Sequence, residues 1–470
     1  MFKKVMKLHF VGIGGSGMSG IAEVLLNAGY PVTGSDKKKS ELTARLEKLG
    51  AKVFEGHQAS NVGDAEGIVV SNAVPETNPE VMEARRRKIP VIPRAQMLNE
   101  LMRLKYGVCI SGTHGKTTTT SMTGLVLKEG GFDPTIVIGG VLDSVGSNTL
   151  LGKGDYFVVE ACEAFASFLQ LSPAICVVTN IDNDHLDHYQ NMDNLRDAFV
   201  RFINRMPFYG FAMVCGDDAE INHILPRVVR RTITYGFKEG NDLRAHVEKA
   251  SGLTTTFSLF KGSEKLGSAT LNMPGKHNVL NSVAAIGVGM ELGMSFEGCA
   301  KGLAKFTGVR RRFQVKGEAQ GVAVIDDYAH HPTELDATLK AARDALKGHG
   351  ASGGGRLVVA FQPHLFSRTQ LLYQDFARVL EQADEVFLCG IYPARETPIP
   401  GVSSQLIVDL LEAKGGAAPP VTYCFDQADL LPKVMKSLRS GDLFITAGAG
   451  TIDALGDSVL KALKAKPVTA

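Results

Sequence analysis

A lysine set among small residues is the first group in this chain that could do chemistry. Ser111-Gly112-Thr113-His114-Gly115-Lys116-Thr117-Thr118 lies between an apolar strand, Tyr106–Ser111, and a helix that begins at about Lys116. Backbone N–H groups in such a turn cradle phosphates, the lysine reaches the β- and γ-phosphates, and the neighbouring threonine hydroxyl suits Mg²⁺. Ile110 stands where the full Walker pattern has its first glycine, but the Gly-Lys-Thr core is intact. The plainer alternative is an incidental turn. Two further strand ends point the same way. Glu160 closes the strand Tyr156–Glu160, and Asp182–His188 follow the strand Ala174–Ile181. Strand C-termini of an open parallel sheet face one ligand crevice, and a carboxylate there gives Mg²⁺ the hard oxygen it prefers. His185 suits that ion less well, and on chemistry alone a capping or hydrogen-bonding role is its plainer reading.

A second loop offers a different phosphate site. Gly12-Ile-Gly14-Gly15-Ser16-Gly17 follows a strand, opens a helix and is succeeded by Asp36 at the end of the next strand, which satisfies the dinucleotide fingerprint. Glycines let the backbone approach a pyrophosphate, and the helix start supplies N–H donors. The same spacing also serves a tight turn that binds nothing. A pyrophosphate occurs in NAD and in UDP-sugars alike, and Asp36 suits a ribose hydroxyl or a uracil N–H equally. A redox dinucleotide beside ATP is an odd pairing; a UDP-linked substrate beside ATP suits a ligase.

These loops need elements to hold them. Three times the chain sets out an apolar strand, a loop and an amphipathic helix, the alternation expected of α/β domains with helix-covered parallel sheets. Blocks at 1–104, 105–308 and 309–470 follow, the second ending in an alternating stretch, Asp242–Asn272, that reads as a small antiparallel sheet, and in helices near Asn278–Leu292 and Phe296–Phe306. Lys347–Gly355 reads as a flexible surface loop. With 470 residues, 44% of them hydrophobic, each block can bury a core, and a net charge of +2 gives no field for nucleic-acid or membrane-surface binding. The start, Met1-Phe-Lys-Lys, looks faintly like a signal peptide, but His9 and the glycines from Gly12 interrupt it. Seven scattered cysteines without a Cys-x-x-Cys pair point to a reducing, cytoplasmic setting, and no apolar run is long enough to span a bilayer.

Read together, the motifs resemble the Mur ligases of bacterial cell-wall synthesis. The resemblance runs through Gly12-Ile-Gly-Gly-Ser-Gly-Met-Ser-Gly20, Gly34-Ser-Asp36, Ser71-Asn-Ala-Val, Gly112–Thr118, Glu160-Ala-Cys-Glu163, Thr179–His188, Gly275-Lys-His-Asn-Val-Leu-Asn281, Arg310-Arg-Arg-Phe313, Asp326-Asp-Tyr-Ala-His-His-Pro332 and Phe361-Gln-Pro-His364. It implies three domains: Rossmann-like for a UDP-sugar, a central P-loop ATPase type, and a C-terminal Rossmann-like domain for an amino acid. The branch most similar joins L-alanine to the lactoyl carboxylate of UDP-N-acetylmuramate, using ATP and Mg²⁺, as a monomer or weak homodimer. By that resemblance Gly14, Gly15, Ser16, Gly17 and Met18 would hold the UDP pyrophosphate, with Asp36 and Ser71 completing that site. Gly112 to Thr118, with Lys116 foremost, would hold the ATP phosphates, and Thr117, Glu160 and His185 would ligate Mg²⁺. Asn278 and Asn281 would face adenine, Asp326 the ribose and Arg310 the γ-phosphate. His364 and Arg368 would take the amino acid. The chain departs from its relatives at Ala164-Phe165-Ala166, where polar residues are common, and at Leu365, where some members have an arginine. The branch that attaches a ready-made tripeptide generally has Cys and bulkier residues where this chain has Gly15-Ser-Gly17.

The chemistry implied begins with attack of the lactoyl carboxylate on the γ-phosphorus of ATP, giving ADP and an acyl phosphate. The alanine amine then displaces phosphate. That amine must be neutral, and His330 or His331, beside Asp326-Asp327, are candidate bases; a packed turn and helix start is the alternative.

Overall fold

The computed structural model describes residues 6–71, 73–103, 105–142, 147–347, 355–394 and 396–465. The first five residues and most of the Lys347–Gly355 loop lie outside them. Three sheets carry the architecture, and their inner strands are largely apolar, buried runs, the signature of strands covered on both sides.

The first sheet holds β1 (Leu8–Val11), β2 (Val32–Asp36), β3 (Lys52–Glu55), β4 (Gly67–Val70) and β5 (Val91–Pro93) in the order β3-β2-β1-β4-β5, all pairings parallel. β1 is central, and the chain leaves it in one direction through β2 and in the other through β4, so the ligand crevice expected of such a sheet lies outside its C-terminal end. The helix Ser16–Asn27 starts there. Its Gly20 packs against the second sheet so closely that a Cβ would meet Thr149 Oγ1 at 2.8 Å and Val137 Cγ1 at 3.0 Å.

The second sheet has ten strands: β6 (Tyr106–Ser111), β7 (Thr135–Leu142), β8 (Ser147–Leu150), β9 (Tyr156–Glu160), β10 (Ile175–Val178), β11 (Phe211–Cys215), β12 (Thr232–Gly236), β13 (Leu243–Ser251), β14 (Thr254–Lys261) and β15 (Glu264–Leu271). Their order is β15-β14-β13-β12-β11-β10-β6-β9-β7-β8. β6 is flanked in parallel register by β9 and β10, which aligns Ile110 with Glu160 and Ser111 with Val178. β13 to β15 follow one another through two-residue turns, a connection only antiparallel hairpins allow. The third sheet runs β16-β17-β21-β18-β19-β20, with β16 (Gln314–Ala319) antiparallel to β17 (Val322–Asp327), and β18 (Leu357–Phe361), β19 (Glu385–Leu388), β20 (Val421–Tyr423) and β21 (Leu443–Ala447) parallel.

The chain clusters into two compact units, one of Met1–His246, Ser258–Ala269 and Leu280–Thr307, the other of Val247–Phe257, Thr270–Val279 and Gly308–Ala470. Six strands, β7, β8, β11, β12, β16 and β20, go beyond what the sequence signals. β8 is polar, β20 is three residues long and β7 carries a Gly-Gly pair, so each owes its place to pairing with neighbours rather than to its own pattern.

Candidate active site

The phosphate-type loop leaves β6 at Ser111 and turns on two glycines with left-handed backbone, Gly112 at φ 127° and Gly115 at φ 84°. A side chain at Gly112 would drive into Thr179, so both conformation and space demand glycine there. The loop is pinned to the exit of β10. Thr113 N–H donates to the Asn180 carbonyl (3.1 Å), His114 N–H to Asn180 Oδ1 (2.8 Å), and Thr179 Oγ1 to the His114 carbonyl (2.6 Å). Asp182 N–H donates to Thr113 Oγ1 at 2.9 Å, and the His114 ring lies 2.8 Å from Asp182 Oδ2. These bonds bring the Gly112–Thr118 and Thr179–His188 motifs together. Asn281 joins them from its helix, its Oδ1 2.7 Å from where a Cβ on Gly115 would sit.

Lys116 opens the helix Lys116–Glu129 and bends back over its loop. Its ammonium donates to the carbonyls of Gly112 (2.6 Å) and Thr113 (2.9 Å) and to both oxygens of Glu163 (3.1 and 3.0 Å). Burial disfavours the ammonium, yet the Glu163 carboxylate outweighs it and holds the lysine above its ordinary pKa, so it stays charged. Glu163 is itself buried; His185 Nε2 lies 3.6 Å from it, and the Tyr189 hydroxyl donates to its carbonyl at 2.5 Å. His185 occupies a left-handed position, φ 58°, at the start of a short helix. Glu160 takes the Gly139 N–H on Oε1 at 2.6 Å, and Thr117 is buried one residue beyond Lys116. Glu163 was not among the expected site residues. Glu160 draws attention because it ends a strand, whereas Glu163 sits three residues on, in a turn whose course no local pattern fixes.

At the other glycine loop, Gly12 and Ile13 donate to the Ser35 carbonyl at 2.9 and 3.0 Å. Asp36 turns inward: Oδ2 accepts from Gly14 N–H and Oδ1 from Lys37 N–H, both at 2.8 Å, so the carboxylate shapes the loop. Ser71 stands across from Gly12, 3.3 Å from where its Cβ would be, and Met18 is buried beneath the first turn. Asn148 Nδ2 donates to Ser16 O and to Ser19 Oγ, the latter at 2.8 Å, fixing the helix start against β8. Neither this helix nor Lys116–Glu129 has a side-chain cap or an acid in its first turn. Both ends thus present amide donors and positive dipole to an anion.

In the second unit, Arg310 is exposed in a turn ahead of Arg311 and Phe313, both at positive φ (62° and 46°). Arg311 fastens that turn, donating to Asp326 Oδ2 (3.3 Å) and to the carbonyls of Gly448 (2.6 Å) and Gly450 (3.0 Å). Asp326 is fully buried; its carboxyl is pushed up by that burial while Thr446 and Arg311 pull it down. Burial raises the Asp327 carboxyl further, to about 6 against the pull of Arg312, and its oxygens accept from Phe313 and Ala329 N–H. Asn278 is buried and donates to the Pro274 carbonyl at 2.8 Å.

The two histidines stand in different surroundings. His331 caps the helix Pro332–Leu346, accepting from Thr333 N–H. His330 Nδ1 faces two acceptors, the Tyr328 carbonyl and Glu334 Oε2, both at 3.0 Å. Facing two acceptors, that nitrogen is placed to donate. Its ring packs edge-on to His364, centroids 5.5 Å apart, and His364 stacks on Tyr392. Arg368 lies 3.1 Å from His364 Nδ1, a contact in which the guanidinium donates. Leu365, at φ 70°, directly precedes the helix Phe366–Leu380 that carries Arg368.

Three family models match in order: Mur ligase family, catalytic domain, over 7–106; Mur ligase middle domain over 110–289; and Mur ligase, glutamate ligase domain, over 311–450. The chain is 51% identical over 465 residues to the UDP-N-acetylmuramate–L-alanine ligase of Geobacter sp. (strain M21), covering 99% of each chain. It is 51% identical to the enzyme of that name from Lawsonia intracellularis, covering 98% of this chain and 100% of the relative. Among solved structures, UDP-N-acetylmuramate-alanine ligase from Thermotoga maritima superposes with a TM-score of 0.82 at 30% identity, over 98% and 99% of the two chains. The fold is also that of a MurF ligase from Thermotoga maritima solved in complex with ADP, TM-score 0.61 at 16% identity over 92% and 95%.

Proposed function

The chain belongs to the Mur ligase family, and on that premise we propose that it joins L-alanine to the lactoyl carboxylate of UDP-N-acetylmuramate at the expense of ATP, a step of peptidoglycan precursor synthesis. One observation carries this reading. Two glycine loops, each opening an uncapped helix, occur on separate sheets of a chain that aligns end to end with ligases of that specificity. An NAD-dependent oxidoreductase would use Gly12–Gly17 and leave Lys116 and its buried partner Glu163 without a task.

A carboxylate is a poor electrophile, so amide formation needs activation. The lactoyl carboxylate attacks the γ-phosphorus, ADP leaves, and the alanine amine attacks the resulting acyl phosphate and releases phosphate. Lys116, kept charged by Glu163, offsets the negative charge that gathers as one anion attacks another, and Arg310 carries over from the resemblance in the same role. The oxygen donors present, the Glu160 carboxylate and the Thr117 hydroxyl, fit the hard, oxygen-preferring Mg²⁺, with His185 the softer third candidate. When bound, that ion would supply charge neutralisation at the phosphates. Asn278, Asn281 and Asp326 are the nucleoside ligands we carry over, and Gly14–Met18 with Asp36 and Ser71 the UDP-sugar site. Arg368, oriented by His364, takes the alanine carboxylate, a task that falls to one fork where Leu365 replaces a second. His330 is the base we favour for the amine.

Domain limits at 104 and 308, a monomer or weak dimer, and a cytoplasmic location complete the proposal. No described helix is long and apolar enough to cross a membrane. The test mixes enzyme, Mg-ATP and UDP-N-acetylmuramate with L-alanine or with the tripeptide, measures phosphate and weighs the product. A mass gain of one alanine with stoichiometric phosphate is expected; a product carrying the tripeptide, or no phosphate, overturns the reading.

A further inference from the structure

One cation beside the UDP-sugar loop has no task in the account above. Arg94 begins the helix Arg94–Met102 directly after β5, at the same C-terminal edge of the first sheet as the loop Gly12–Gly17. Its side chain lies across the first turn of the helix Ser16–Asn27. A Cβ built on Gly17 would stand 2.5 Å from Arg94 Nη1, 3.4 Å from Cζ and 3.5 Å from Cδ. Gly17 has ordinary helical backbone, so its lack of a side chain is explained by this guanidinium and not by conformation. Arg94 is half-buried, yet among the described residues it makes no hydrogen bond or ion pair. Its charge is felt at Cys162, the residue next to Glu163 that holds Lys116.

A half-buried guanidinium normally finds a carboxylate or carbonyl, because five N–H donors are costly to leave unmatched. Here the neighbouring groups are the uncapped amides of a helix start, which are themselves donors. Donors of two kinds converge on one space, and what satisfies them together is an anion. We propose that Arg94 is a substrate-binding residue that takes the diphosphate of the UDP-sugar together with the Gly14–Met18 amides. The inference rests on the proposed function for the identity of the ligand. Arg94 also lies toward Cys162 and hence toward the ATP loop, so the lactoyl carboxylate is the other anion of the same substrate that could reach it. The choice falls on the diphosphate because the guanidinium lies on Gly17 itself, within the turn whose amides face that group.

The test is equilibrium binding, independent of turnover, with UDP-N-acetylmuramate and with UDP-N-acetylglucosamine, which has the diphosphate and no lactoyl carboxylate. Arg94→Ala is expected to weaken both ligands by the same factor, about 10- to 100-fold as for a charge-assisted contact, with binding of an ATP analogue unchanged. Arg94→Lys should recover part of the loss, since it restores charge without the fork. Gly17→Ala, which displaces the guanidinium, should weaken both sugars in parallel. Equal binding by wild type and Arg94→Ala overturns the proposal and leaves the function intact. Loss confined to the muramic acid compound assigns Arg94 to the carboxylate and also overturns it. If wild type binds neither UDP-sugar, the functional reading itself falls. Should Arg94→Ala not fold, Arg94→Lys and Gly17→Ala decide between the same outcomes.

Discussion

Lys116 shows how one side chain is prepared for phosphoryl transfer by the groups around it. Two carbonyls of its own loop and the buried Glu163 carboxylate fix the ammonium's position and charge, so a cation already stands at the cradle when a triphosphate enters. Preorganised contacts of this type are worth about 3–4 kcal/mol in the transition state, which corresponds to roughly 10²- to 10³-fold in rate. Lys116→Ala is therefore expected to fold, as judged by circular dichroism, and to lose that factor in ADP release; near-normal ADP release by a folded variant would count against the assignment. The sequence made Lys116 and Thr117 legible because Gly-Lys-Thr is contiguous and its strand–loop–helix setting can be read locally. Glu163 was not legible, since it meets Lys116 across 47 residues and three strands. The same holds for Asp36: its position after β2 is readable, but that it spends an oxygen on Gly14 N–H depends on how the loop folds back.

At the scale of elements, the first sheet is tied together by a buried carboxylate that no phosphate motif advertises. Glu80, in the first turn of the helix Pro79–Arg86, accepts from Ser35 Oγ of β2 at 2.6 Å and from Asn61 Nδ2 at 2.7 Å. His57 Nδ1 lies 3.3 Å from it and His9 Nε2 of β1 3.7 Å. Ser35 is the residue whose carbonyl anchors Gly12 and Ile13, so this cluster supports the UDP-sugar loop from below. Burial alone would raise the Glu80 carboxyl, but the His9, Ser35 and Asn61 groups hold it at about 2. A carboxyl depressed on folding gives stability that is complete above its unfolded value, near 4.5, and is lost as pH falls toward 2. Urea denaturation between pH 7 and 2.5 should show that loss, on the order of 3 kcal/mol, in the first sheet. Glu80→Gln should lower stability at pH 7 and flatten the acid slope; an unchanged slope would show that Glu80 contributes none of it. Parallel strands such as β1, β6, β9, β10 and β18 were legible as apolar runs, and so were the helices that follow the two loops. The β7–β8 pair was not, although it seats the helix Ser16–Asn27 through Asn148 and holds Glu160 through Gly139, because its residues gain their place from partners distant in sequence.

For the whole molecule, two compact units imply that unfolding is not a single event. The proposed UDP-sugar ligands, Gly14–Met18, Asp36 and Ser71, all belong to the first unit, and the proposed amino-acid ligands, His364 and Arg368, to the second. A ligand that binds only the folded form stabilises what it binds, by about 2.7 kcal/mol at one hundred times its dissociation constant. UDP-N-acetylmuramate alone should then raise the urea midpoint of the first unit and leave that of the second where it was. Hydrogen exchange read by mass spectrometry at increasing urea distinguishes them, with peptides from residues 8–102 reporting one and peptides from 322–447 the other. Two midpoints, of which only the first moves with the UDP-sugar, are expected. A single midpoint that moves for both sets of peptides would mean that the units unfold as one cooperative body, and that binding energy gained at the glycine loop of the first sheet is shared by the unit that holds Arg368.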